Sequence, residues 1–495
     1  MKSCCVQFLA LVVVCVAFGV AAFFSKYDKE IYQGMQMSNG YGAKVGCSIV
    51  FVAGRDLKSA LEAEFIFPPI RLFSILEVQP EEKCVLARSR FFPQLTRTAC
   101  WRSERLGCAL LHNASNFTPV DPIEHHRNAS ALFPIGDAID EIHANQVRST
   151  IDMGALEMAL DEHFADERLH TRAVILIKDG QIVYERYGDG CNDTTPLLGW
   201  SMTKSLTNTL IGRRIEEGKI PGGLQAKLQD FIPEYRRDER GQIDLESVLR
   251  MTDGLDIDEH YSPGSLATRM LFINQQLLQD DIGMRISAHE DSCFRYSSHS
   301  TNVLSKFLRN TFESHEDYLR YPTESIFNEL GMDSAVLETD PAGTFIGSSF
   351  GWATARDWAR FGMFLLQDGV WNGTRLLPEG WMDFSTAPTP TSGGVYGAHF
   401  WGHLGPAVGP GETKSRLNDC DKTYPSRTEP SRDWMRDAFP RGSYLAHGFE
   451  EQVVIIVPET NVVFVRLGQI KPLIVSWEPV AFYRSVLQAA GAVYK

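Results

Sequence analysis

The chain is short of the patterns that common chemical sites require. Its ten cysteines form no Cys-x-x-Cys pair, which excludes a zinc ribbon and a thioredoxin-like site. No His-Glu-x-x-His zinc motif occurs, no Gly-x-x-x-x-Gly-Lys-Ser/Thr phosphate loop and no Gly-x-Gly-x-x-Gly turn. Nothing in these patterns implies a metal or a cofactor. Positive charge is also in deficit: 48 Lys and Arg stand against 62 Asp and Glu, a net charge of −14. A phosphate backbone needs a basic face, so no nucleic-acid partner is expected. What is plentiful is apolar surface. Hydrophobic residues make up 44% and aromatics 11% of 495 residues, ample for a large core and against wholesale disorder.

Cys4 to Phe24 is almost wholly apolar, with Gln7 the only polar interruption, Lys2 before it and a charged stretch from Lys26 to Glu30 behind. About 20 such residues suffice to span a bilayer, while Gly19-Val20-Ala21 offers small residues at cleavage spacing. Residues 1–24 are therefore expected to be a signal peptide or a signal anchor. Either sends the chain into the secretory pathway, secreted or membrane-anchored, with its bulk lumenal or extracellular. Glycosylation acceptors agree: Asn113, Asn116, Asn128, Asn192 and Asn372 each open an Asn-x-Ser/Thr triplet. Beyond the leader lie Cys47, Cys84, Cys100, Cys108, Cys191, Cys293 and Cys420. The compartment permits disulfides. The first four can pair among themselves in three ways, and the odd total leaves a free thiol or an intermolecular bridge.

Residues 25–150 contain Pro68-Pro69, three of the acceptors and no sustained periodicity. They read as a lumenal extension of unknown role. From Asp152 the texture changes. Leu156, Leu160, Phe164 and Leu169 sit near helical spacing. Ala173–Ile177 and Ile182–Tyr184 read as two strands around Asp179-Gly180. Met202, Leu206, Leu210, Ile211 and Ile215 mark one helix face, ended by Gly218 and Pro221. A polar stretch from Gly405 to about Arg432 reads as a long loop. A second hairpin, 452–457 and 462–465, and an amphipathic helix around Trp477 to Ala489 close the chain. Strands at both ends with helices between predict one α+β domain over 151–495.

One constellation carries chemistry. Ser201-Met202-Thr203-Lys204 is an S-x-x-K. Residues three apart share a helix face, so the Lys204 amine reaches the Ser201 hydroxyl. A serine is a weak nucleophile until a base takes its proton, and a desolvated lysine is such a base. A helix start adds free N–H groups where negative charge develops. Spacing alone is weak support: with 35 serines and 15 lysines, chance places about one S-x-x-K in a chain of this length. The bland alternative is a solvated helix face.

The surroundings add more. Gly199-Trp-Ser-Met-Thr-Lys-Ser205 resembles the nucleophile helix of the penicillin-recognising serine hydrolases, the superfamily of class C β-lactamases, D-Ala-D-Ala carboxypeptidases and related esterases. Further stretches are similar, in order, to its 6-aminohexanoate-dimer hydrolase-like branch. They are Leu249-Arg-Met-Thr-Asp-Gly-Leu255, Phe294-Arg-Tyr-Ser-Ser298, Glu338-Thr-Asp-Pro-Ala-Gly-Thr344, Gly351–Gly362, Gly369-Val-Trp-Asn-Gly373 and Tyr396-Gly-Ala-His-Phe-Trp401. The resemblance covers about 152–490.

It implies a β-lactamase/transpeptidase-like fold: an antiparallel sheet flanked by helices, with a mostly helical subdomain over approximately 225–395. It implies Ser201, Lys204 and Tyr296 as catalytic residues, with Ser298 lining the pocket where β-lactamases of the superfamily carry Asn. The usual Lys/His-Thr/Ser-Gly third motif falls on Ala446-His447-Gly448-Phe449. Its first position lacks the cation and Glu451 replaces an expected small residue. The backbone N–H groups of Ser201 and Phe449 are the expected oxyanion donors, and His447 and Gly448 the expected pocket residues. The activity implied is hydrolysis of a small or peptide-like ester or amide, without metal or cofactor. The alternative is a membrane-tethered binding or scaffold protein on the same fold that has lost turnover, which Glu451 and the altered motif favour and the intact Ser201, Lys204 and Tyr296 oppose.

Overall fold

Runs of β-branched residues build the centre of the molecule, in a computed structural model that describes residues 30–58, 61, 73–111, 127–188, 190–257, 259–281, 284–286, 293–389, 392–405, 434–470 and 477–494. The leader, Asn113, Asn116, Cys420 and all but the first residue of the loop expected at 405–432 lie outside the described residues. Among the described residues no helix is long and apolar enough to cross a membrane. Asn128, Asn192 and Asn372 are exposed, as a glycosylation acceptor has to be.

The chain enters through a helix, α1, over residues 30–51. A four-stranded antiparallel meander follows: β1 (Ser74–Gln79), β2 (Cys84–Ser89), β3 (Thr96–Ser103) and β4 (Gly107–Leu111). Disulfides Cys47–Cys108 and Cys84–Cys100 tie α1 to β4 and β2 to β3. Within the extension read at 25–150, the described residues thus hold a helix and a sheet that its lack of sustained periodicity did not show, and its four cysteines pair among themselves. Residues 37–49 are buried without exception, so this stretch of α1 has no solvent-facing side and its sequence no amphipathic period.

Next come α2 (Met153–Ala165), capped by Asp152, and the hairpin β5 (Thr171–Lys178) and β6 (Gln181–Tyr187). The helix α3 (Thr203–Glu216) ends at Gly218, whose φ of 68° suits glycine. After it lie α4 (Ser298–Arg309), α5 (Ala355–Leu366) and the short β7 (Trp401–Gly402). The chain returns through β8 (Tyr444–Gly448), β9 (Gln452–Val457), β10 (Val462–Gly468) and α6 (Pro479–Ala489).

The six strands pair in the order β7-β8-β9-β10-β5-β6, all antiparallel. Side chains alternate across a strand, and both faces are apolar. Ala173, Ile175, Val454, Val463 and Val465 face α5, and Val174, Leu176, Val453, Ile455 and Phe464 face α2 and α6. Each fully buried aliphatic here contributes about 1.5–3 kcal/mol. α5 presses so close that a Cβ on Gly362 would stand 2.5 Å from Val463. This is the expected α+β architecture, with one correction. The helical subdomain does not run to 395, because α5 is buried on the sheet rather than among the subdomain's helices.

Candidate active site

The turn before α3 is held by close packing. A Cβ on Gly199 would meet the Trp358 ring at 2.5 Å. Trp200 then takes a left-handed φ of 47°, a costly conformation for a bulky residue. Its ring is boxed by Tyr41 of α1, Phe350 and Phe449, with centroids 6.3, 5.7 and 6.0 Å away. Trp200–Met202 forms one 3-10 turn leading into α3, which places Ser201 at the helix start.

Lys204, 1% exposed, lies one turn on. Its Nζ stands 3.1 Å from Ser201 Oγ, 3.0 Å from Ser298 Oγ and 2.9 Å from the Ser348 carbonyl. The Tyr296 ring faces the same nitrogen, 4.9 Å from its centroid. Ser297 caps α4 by accepting from the Ser300 N–H at 3.1 Å. Ser298 is thereby the first helical residue, and its hydroxyl turns to Lys204. The structure thus gathers Ser201, Lys204, Tyr296 and Ser298 as one group.

The third motif closes the other side. A Cβ on Gly448 would stand 2.1 Å from the Gly199 carbonyl and 3.2 Å from Ser201 N. No side chain fits there, so the end of β8 passes directly against the nucleophile turn. Phe449 follows, half-exposed at the mouth. His447 is a correction. Alternation turns it to the opposite face from Gly448, where its Nε2 lies 3.3 Å from Glu451 Oε2. The Tyr483 hydroxyl donates to that same carboxylate oxygen at 3.2 Å. Arg466, fully buried, donates to the Glu450 and Glu451 carbonyls at 3.2 and 2.9 Å. His447 and Glu451 therefore brace the turn after β8.

Four participants were not legible beforehand. Glu259 and Tyr261 come from a loop and meet Ser298. Ser348 contributes only a carbonyl, which any residue possesses. His399 sits beneath Lys204, fully buried, with Nδ1 donating to the Leu249 carbonyl at 2.6 Å and Nε2 accepting from the Thr301 hydroxyl at 2.9 Å. Burial first, and the Lys204 charge second, push its pKa down to about 3, against the Leu249 bond.

A neutral buried ring has a stability consequence. An unfolded imidazole protonates near 6.5, so the unfolded state binds more protons below that pH. The contribution is complete above about 6.5 and is lost as pH falls toward 3. Between pH 7.5 and 5.5 this ring alone should cost about 1.4 kcal/mol. Urea unfolding checks it: His399→Gln should show a pH dependence smaller than wild type by that amount.

The comparisons with known proteins agree with this architecture. A family model described as beta-lactamase matches residues 156–484. The 6-aminohexanoate-dimer hydrolase of Paenarthrobacter ureafaciens is 23% identical over 334 residues, 63% of this chain and 74% of that protein. Among solved structures, a candidate β-lactamase from Bacteroides dorei is similar with a TM-score of 0.51 at 14% identity, covering 69% of this chain and 100% of that one. A candidate 6-aminohexanoate-dimer hydrolase from Bacillus anthracis gives 0.49 at 22% identity, over 67% and 81%. The matched residues 156–484 take in the whole six-stranded sheet and the Ser201 pocket together, and the chain belongs to the beta-lactamase family of hydrolases.

Proposed function

We propose that the chain cleaves an ester or amide bond through an acyl-enzyme on Ser201. The observation that carries this reading is the buried Lys204 amine held by three oxygens, one of them Ser201 Oγ at 3.1 Å. Neutral Lys204 takes the Ser201 proton as Oγ attacks the substrate carbonyl carbon. The backbone N–H groups of Ser201 and Phe449 stabilise the oxyanion. The departing alcohol or amine receives the proton back, with the Tyr296 phenol as relay. Water then attacks the acyl-enzyme by the same route and regenerates Ser201.

The non-catalytic scaffold alternative drew on Glu451 and on the missing cation of the third motif. Glu451 pairs with His447 and Tyr483 on the far face of β8, which speaks against the first of these grounds and leaves the second.

Substrate class follows from charge. Ala446 faces the same side of β8 as Gly448 and supplies no cation for a substrate carboxylate, while Glu259 adds a negative charge beside Ser298. Losing one partner of a charge pair costs about 2–5 kcal/mol. Short-chain p-nitrophenyl esters and linear amides should therefore give kcat/KM values roughly 10²-fold above nitrocefin. Efficient nitrocefin hydrolysis by the wild-type protein would overturn this specificity.

A further inference from the structure

We propose that Glu259 is a positioning residue of this site, acting through the Ser298 hydroxyl to aim the Lys204 lone pair at Ser201. The inference rests on the Ser201–Lys204 reading above and deepens it.

Hydrogen counting carries the argument. The Glu259 carboxylate receives three donors. Its Oε1 accepts from Ser298 Oγ at 2.6 Å and from the Tyr261 hydroxyl at 2.6 Å, and its Oε2 accepts from the Ser298 N–H at 2.8 Å. A hydroxyl has one hydrogen. Since Ser298 spends its own on Glu259, its oxygen can only accept from Lys204, 3.0 Å away. The Ser348 carbonyl, 2.9 Å away, can likewise only accept. The Asn302 amide, one turn along α4 from Ser298, fixes Ser348 by donating to its hydroxyl at 3.1 Å and accepting from its N–H at 3.3 Å.

A neutral amine has two hydrogens and one lone pair. Ser348 O and Ser298 Oγ can each take a hydrogen, which turns the lone pair toward Ser201 Oγ, 3.1 Å away. On attack the Ser201 O–H bond breaks, a third N–H bond forms on Lys204, and the oxygen electron pair goes to the substrate carbon. The new ammonium then stands one hydroxyl away from the Glu259 charge, which stabilises it as the proton moves. Base and orienter thus have the arrangement of a nucleophile–base–carboxylate triad, with a hydroxyl interposed.

Without the carboxylate, the Ser298 hydrogen is released and competes with Ser201 for the Lys204 lone pair. Glu259→Gln tests this, because one amide cannot accept from all three donors. The groups facing the amine and its bridge are Glu259, Tyr261, Tyr296 and His399, and His399 stays neutral throughout the working range. The expected result on a p-nitrophenyl ester is kcat lower by about 10²-fold. The acidic limb of the kcat/KM profile should also move about one pH unit lower, since a removed negative charge no longer favours the ammonium. A merely structural role would lower the melting temperature and leave that limb in place.

Ser298→Ala provides the second arm, and the only arm needed should Glu259→Gln fail to fold. It should lose a similar factor, and adding Glu259→Gln to it should cost less than about threefold more, because the bridge is already gone. Wild-type kcat and pH limb in Glu259→Gln, or in Ser298→Ala, would overturn the proposal. So would an undiminished Glu259 effect in the Ser298→Ala background. Ser201→Ala run alongside separates the two levels: an active Ser201→Ala protein defeats the underlying hydrolase reading instead.

Discussion

Ser201→Ala is expected to reduce turnover to background and to abolish covalent labelling by a fluorophosphonate probe. The acyl acceptor is a single oxygen, 3.1 Å from the base that activates it. Lys204→Ala and Tyr296→Phe should each lower kcat by roughly 10²–10⁴, as for other general acid–base groups. Combining them should cost far less than the product of the separate losses, because both act on one proton path. The fold should survive Ser201→Ala with stability changed by no more than about 0.5 kcal/mol. A Ser201→Ala protein with full activity and full labelling would move the nucleophile elsewhere and leave the S-x-x-K as the one expected by chance.

Lys44→Met should be strongly destabilising. Lys44 of α1 and Glu338 are 1% and 0% exposed, with Nζ 2.5 Å from Oε2. The same amine donates to the Cys108 carbonyl at 2.6 Å. Glu338 also accepts from the Ser48 hydroxyl at 2.7 Å, the Cys108 N–H at 2.6 Å and the Trp352 indole at 3.2 Å. Removing the cation strands a buried carboxylate, at about 3–5 kcal/mol. On a chain of this size that lowers Tm by about 3–5 °C. Adding Glu338→Leu should recover part of the loss, because the stranded charge is gone while the Cys108 N–H and the Trp352 indole lose their acceptor and the Ser48 hydroxyl keeps only the Lys44 carbonyl at 3.1 Å. The consequence reaches catalysis, since Tyr41 on the same helix packs against Trp200, whose left-handed turn delivers Ser201. Activity below the melting transition should therefore fall as well. Thermal melts and ester assays of both variants check this, and a Lys44→Met protein with wild-type Tm would defeat the argument.

The two hairpins, α3 and the Ser201–Lys204 pair were legible because each obeys a local rule. Val462-Val-Phe-Val465 and Ala173–Ile177 are β-branched runs flanked by turn residues, and i, i+3 spacing on a helix is a near-neighbour relation whatever the fold. Local rules have no purchase on Glu259, Ser348 or His399, which reach Ser298, Lys204 and Leu249 from 39, 144 and 150 residues away. They fail on α1 for a different reason: over 37–49 the helix is buried on every side, and without a solvent-facing side there is no amphipathic period. They mislead on His447, where membership of a motif says nothing about which face of the strand a residue takes.

The amino-acid sequence by itself determined the two hairpins, α3 and the C-terminal helix, which serine has a lysine one turn away, and which family that pattern resembles. Those properties depend on neighbours a few residues apart and on the chemistry of single side chains. Only the tertiary structure decided that residues 30–51 and 74–111 form a helix and a sheet bolted to the hydrolase by Lys44 and Glu338, that Glu451 turns away from the pocket, and that a carboxylate stands behind the base. Each of these depends on which distant segments share a buried space, where an unpaired charge or hydrogen is costly. Packing, and not spacing, selects the partners.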